Sequence, residues 1–282
     1  MNKQSWPKTI IGIILGLAIL VGAQFTAMEA GEGLIKLGVP DIPSVIVSAI
    51  LYPALAITGV WLVICKLMKI PSKVIRLTRF KPKLLWIVVA VIMPALAIGG
   101  YMFFKGEMVK STLPTSELTA YVVQSVLFFS IGAGIVEELV FRGIIMGLLE
   151  NKTNFKIAMI IPSVLFGAVH MIGAGLSFVS TIQLLIAGTL VGILFSLIAK
   201  YSDSIWEGAI VHAVWNASAA FVAIGTAAKN ESIFTYVLKS KSFLITGGDF
   251  GMEASVISIA AYLIVIVFVL SLLRKKKKMA VV

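Results

Sequence analysis

Apolar residues cluster along this chain into long stretches separated by short polar connections. The stretches are Thr9–Met28, Ser44–Leu67, Leu84–Phe104, Leu118–Leu149, Phe155–Ile172, Leu176–Ala199, Ile205–Thr226 and Ala254–Leu273. Most run to about 20 residues, which as a helix rising 1.5 Å per residue crosses a hydrocarbon core of roughly 30 Å. The pattern predicts an all-α, polytopic membrane protein, a bundle of about eight transmembrane helices. The fourth stretch is longer than a bilayer needs and is expected to tilt or project. The fifth and sixth are joined by the short Gly173-Ala174-Gly175 turn and are expected to be antiparallel neighbours.

Composition agrees. Of 282 residues, 59% are hydrophobic and 13% charged, too few charges to cover a water-soluble surface. The net charge of +11 does not imply nucleic acid, because the basic residues lie between apolar stretches. They fix topology and contact anionic lipid head groups. With the N-terminus in the cytoplasm, that side holds 18 Lys and Arg, including Lys3, the run between Lys66 and Lys83, and Arg274–Lys278. The other side holds 6 (Lys36, Lys105, Lys110, Lys229, Lys239 and Lys241). The positive-inside rule then places both termini in the cytoplasm. The first apolar stretch is too long for a signal-peptide core and reads as a retained helix. Cys65, the single cysteine, excludes an intramolecular disulfide and reads as a packing residue. There is no internal repeat and no soluble domain. The polar connection from Ala227 to Glu253 carries Phe234, Tyr236, Val237, Leu238 and Phe243, so part of it is expected on the membrane surface.

Three carboxylates (Glu137, Glu138 and Glu207) and both histidines (His170 and His212) fall inside the apolar stretches. A charge near mid-bilayer costs at least about 2.5–3.5 kcal/mol, so such groups usually face the bundle interior and serve a function. Glu207 lies near a cytoplasmic end and reads as a solvated or structural group. Glu137 and Glu138 are adjacent on a helix and point about 100° apart. Glu138 stands four residues before Arg142 and can pair with it along one face, leaving Glu137 free. Counted from the cytoplasmic helix ends, Glu137, His170 and His212 lie roughly 16, 21 and 14 Å deep, which predicts convergence at one level. Asn216 follows His212 by one turn on the same face, and an Asn beside a His in apolar surroundings offers donors to a developing oxyanion. Phe166 bears the same relation to His170 and reads as packing.

Glu137-Glu138-Leu139-Val140-Phe141-Arg142 reads EExxxR, Phe166 to His170 reads FxxxH, and His212 to Asn216 reads HxxxN. In this order on separate apolar helices, they resemble the CAAX protease and bacteriocin-processing (CPBP, Abi) family of intramembrane glutamic endopeptidases. The match covers about Gly134–Ala217. The resemblance implies that Glu137 activates water with His170 as partner, that His212 and Asn216 stabilise the oxyanion, and that Glu138 and Arg142 fix the site. It also implies a substrate class: prenylated CAAX proteins for the family's eukaryotic members, bacteriocin or surface peptides (self-immunity) for the bacterial ones, here expected in a bacterial plasma membrane.

The residues themselves point to the same chemistry. No Ser/His/Asp, Ser/Lys or Cys/His arrangement supplies a nucleophile, whereas a carboxylate desolvated in a bundle is a better general base near neutrality. The expected partners are membrane lipids and a peptide or lipidated-protein substrate, with no nucleic acid. No cofactor is expected. The nearest alternative is a zinc site from Glu137, His170 and His212 with water as fourth ligand. A non-catalytic immunity protein and a transporter are the other readings, the latter lacking the repeated halves such folds usually show. Residues 1–117 hold the first three spans, 118–226 the catalytic core, and 227–282 the outer loop, last span and basic tail.

Overall fold

A computed structural model describes residues 5–279 of the chain. Lys3, counted above on the cytoplasmic side, lies outside them. Eight helices follow the eight apolar stretches: α1 (Trp6–Lys36), α2 (Asp41–Leu67), α3 (Leu84–Tyr101), α4 (Thr115–Lys152), α5 (Phe155–Val169), α6 (Phe178–Ser202), α7 (Trp206–Phe221) and α8 (Val256–Met279). Six of them are long and apolar enough to cross a membrane. Of the eight, α5 and α7 are the short ones, with 15 and 16 residues. Local chemistry sets their ends. The Asn154 side chain accepts from the Ile157 amide and starts α5. Asp203, in the left-handed conformation at φ 55°, ends α6. α7 ends at Phe221, where Val222 becomes extended, five residues short of the expected Thr226. Large apolar side chains such as Ile10, Ile14, Val21 and Phe25 of α1 stand exposed, as hydrocarbon would require.

Small residues let two helix pairs approach closely, the usual means of packing helices in lipid. Between α5 and α6, a Cβ on Gly188 would stand 2.6 Å from the Gly167 Cα, so the expected antiparallel neighbours touch backbone to backbone. Between α4 and α7, a Cβ on Gly134 would meet the Ala209 carbonyl and Ala213 amide at 3.1 Å. The second approach brings Glu138 against His212.

One end of the bundle carries most of the basic residues. There the buried Arg76, in the 68–83 connection, pairs with Glu150 and stands 3.8 Å from Asp203. The opposite end carries a small sheet ordered β1 (Gly106–Lys110), β3 (Phe234–Leu238), β2 (Val222–Gly225). β1 pairs antiparallel and β2 parallel with β3. Of the apolar residues expected partly on the membrane surface, Phe234 and Phe243 are exposed, whereas Tyr236 and Leu238 are not available to it. β3 is the central strand, and Thr235, Tyr236 and Leu238 are buried in protein.

Candidate active site

Glu137 and Glu138 sit in a short α-helical stretch of α4, Ala133–Glu138, between two stretches of wider π turns, Ser125–Gly132 and Leu139–Ile145. Such widened turns inside a long helix are frequent at functional sites. The two carboxylates divide as their angular separation predicts. Glu138 is fully buried, and its Oε1 accepts from Arg142 Nη1 at 2.9 Å. Arg142 is equally buried. Its Nη2 donates to the Gly192 carbonyl of α6 at 3.2 Å, and its guanidinium lies 4.5 Å from the Phe166 ring and 5.2 Å from the Phe195 ring. Glu137 turns the other way and retains 19% of its side-chain exposure inside a cavity.

That cavity, of about 230 Å³, is lined by Glu137, His170, His212 and Asn216. The three motifs therefore meet around one space. His212 is held between two glutamates, its Nδ1 3.3 Å from Glu138 Oε1 and its Nε2 3.9 Å from Glu137 Oε2. Phe195 stacks on its ring at 4.8 Å. His170 Nδ1 lies 2.7 Å from the Phe166 carbonyl, which can only accept, so Nδ1 carries the proton and Nε2 presents a lone pair. Phe166 does more than pack: its carbonyl fixes the His170 tautomer and its ring stacks against Arg142. Asn216 Nδ2 donates to the Phe129 carbonyl of α4 at 3.2 Å, which fixes the amide and leaves its second N–H unassigned. Among the described residues no three His, Cys, Asp or Glu side chains are grouped closely enough to hold a metal ion.

Two sequence readings are refined and one group is added. His170 is not within a span but in the turn just after α5, at the sheet end of the bundle. The site accordingly extends toward the sheet end. It shares Phe129, Asn216 and Glu253 with a neighbouring crevice lined by Lys229, Glu231 and Ser232. Of the two readings given for Glu207, the solvated one falls and the structural one stands: it is buried in the first turn of α7, with Oε2 unpartnered, where the helix N-terminus favours a negative charge. Sequence reasoning also missed Glu253, the residue just before the last apolar stretch, which turns into the cavity. Its only signal was a lone carboxylate at the membrane boundary.

The bundle brings carboxylates and imidazoles of three helical motifs to one cavity, and the segment that carries them has known relatives. Residues 119–218 match the family described as Type II CAAX prenyl endopeptidase Rce1-like, and all three motifs lie within them. Over this segment, about a third of the chain, it is similar to that family, the one its motifs resemble. A Bacillus subtilis (strain 168) protein described as "Putative membrane peptidase YdiL" is 31% identical over 116 residues, or 41% of this chain. The match spans 44% of that relative, less than half its length.

Proposed function

We propose that the chain is an intramembrane endopeptidase in which Glu137 activates water for attack on a peptide carbonyl. The observation that supports this best is that Glu137, His170, His212 and Asn216 line one cavity while Glu138 and Arg142 are sequestered behind it. Glu137 takes a proton from water, and the hydroxyl oxygen bonds to the scissile carbon. His170, with its Nε2 lone pair toward the cavity, shares the proton and returns it to the leaving amine. His212 in its doubly protonated form donates from Nδ1 to Glu138 and directs Nε2–H into the site. With the second N–H of Asn216 it stabilises the oxyanion. This reaction uses no metal; the zinc-dependent alternative would require Glu137, His170 and His212 to draw closer together than they stand.

The substrates in this reading are membrane-associated or lipid-modified peptides. If the basic end of the bundle faces the cytoplasm, the site and its crevice open toward the outer face, which favours bacteriocin or surface peptides over cytoplasmic prenylated proteins. The deciding experiment compares membrane and secreted peptides from cells carrying the wild-type chain or Glu137→Ala. Peptides that change length only with the wild type support the reading and name the substrate. Identical peptide populations overturn it.

A further inference from the structure

We propose that Glu253 is a specificity-determining residue, selecting peptide segments that present a basic side chain to the cavity and rejecting a free carboxylate. This rests on the endopeptidase reading and deepens it.

The cavity is chemically lopsided. Its α6 wall is apolar (Leu184, Ala187 and Val191), and among the described residues its only Asp, Glu, Lys or Arg are Glu137 and Glu253, which come from positions far apart in the chain. Among the described residues, no Lys or Arg lines it. Arg142 stands behind it, committed to Glu138 and the Gly192 carbonyl. The neighbouring crevice adds one cation, Lys229, but also Glu231, and Glu253 faces both spaces. A peptide entering from the sheet end therefore meets net negative charge.

Glu253 is also held in place. Tyr262 of α8 donates to its carbonyl at 3.1 Å, and Ser258 donates to the preceding Met252 carbonyl at 2.7 Å. Tyr101 of α3 hydrogen-bonds Ser255 at 2.6 Å. Among the described residues no hydrogen bond or salt bridge occupies the Glu253 carboxyl. Burial pushes that carboxyl up from the usual carboxylate range, with Glu137 adding to the effect, while His170, His212 and Lys229 act against it. A group in that position gains from a cation brought by the ligand, because pairing offsets the cost of desolvating it.

The consequence bears on where substrates are cut. A chain cut three residues from its end carries a terminal carboxylate about 10 Å from the scissile bond, at about 3.3 Å per extended residue. Near two carboxylates, with no Lys or Arg in the cavity and His212 already engaged by Glu138, that terminus is disfavoured, whereas an internal bond flanked by Lys or Arg is favoured.

The test uses detergent-purified full-length protein and internally quenched peptides with a Leu/Ile/Phe core. One flanking position, moved along the core, is Lys, Gln or Glu, and the C-termini are amidated or free. Wild-type kcat/KM is expected to favour the best Lys peptide over its Glu counterpart by about 10-fold or more, as for close charge pairs. Glu253→Gln should bring the ratio near unity, Glu253→Lys should invert it, and Glu253→Asp should restore it. A merely structural residue would change all the peptides alike. A Lys/Glu ratio unchanged in Glu253→Gln overturns the proposal. If the wild type cleaves none of the peptides, the endopeptidase reading is what fails. Anisotropy of the same peptides, fluorescein-labelled, then tests the selection without turnover, and equal affinity for the Lys and Glu forms overturns it.

Discussion

Oε1 of Glu138 lies 2.9 Å from Arg142 Nη1 and 3.3 Å from His212 Nδ1, so one buried oxygen joins the structural ion pair to the site imidazole. The motif spacing predicted the first contact; the second reaches across to α7. In the proposed reaction Glu138 is therefore a positioning residue as well as a counter-ion. Glu138→Gln leaves Arg142 buried without a full charge partner, a change that typically costs about 3–5 kcal/mol. Folded yield in detergent should fall, and the molecules that fold should lose activity because His212 loses its anchor. Normal melting temperature together with normal kcat would remove both roles.

Space for that carboxylate depends on a glycine. A Cβ added at Gly208 would stand 2.9 Å from Glu138 Oε2. Gly208→Ala should therefore displace Glu138 or part α4 from α7, destabilising by about 1–3 kcal/mol as over-packing usually does. Thermal unfolding of the purified variant measures this, and an unshifted transition counts against the close approach.

Asn216 is fixed by the Phe129 carbonyl, which suits either an oxyanion donor or a plain helix–helix bond. Loss of a preorganised donor is expected to cut kcat about 10²-fold with KM little changed. Loss of a helix–helix bond alone costs about 0.6 kcal/mol of stability and leaves the rate per folded molecule intact. Kinetics on Asn216→Ala, normalised to folded fraction, separate the two.

The site is proposed to work without metal. Chelation of the purified enzyme followed by zinc addition should leave the rate unchanged at each step. Inactivation by chelator with recovery on zinc would replace the water-activating role of Glu137 with a ligand role.

Orientation is read from charge alone and is open to direct test. In a Cys65→Ala background, Asn230→Cys near the sheet should react with a membrane-impermeant maleimide in intact cells. Lys69→Cys at the basic end should react only after lysis. The reverse pattern would turn the site toward the cytoplasm and restore cytoplasmic prenylated proteins as the leading substrates.

The sequence determined the helices and which principal groups of the candidate site face inward. Apolar length alone located all eight helices, because lipid forces the backbone to satisfy its hydrogen bonds within each segment. Helical spacing separated Glu137 from Glu138 and paired the latter with Arg142, because residues four apart share a face. Those are local rules, and they held. What depended on contacts between distant parts of the chain was decided only by the tertiary structure. β3 reads as a loop until β1 and β2, far off in sequence, hydrogen-bond to both its edges. Glu207 looked close to water until packing closed over it. His170 looked buried mid-span until α5 stopped one residue short of it. Glu253 has no neighbour in sequence that marks it; it joins Glu137 and the histidines because the Tyr262 and Ser258 hydrogen bonds fold the turn before α8 back over the cavity. Local periodicity names which groups face inward, but only packing between helices far apart in the chain decides which of them share one space.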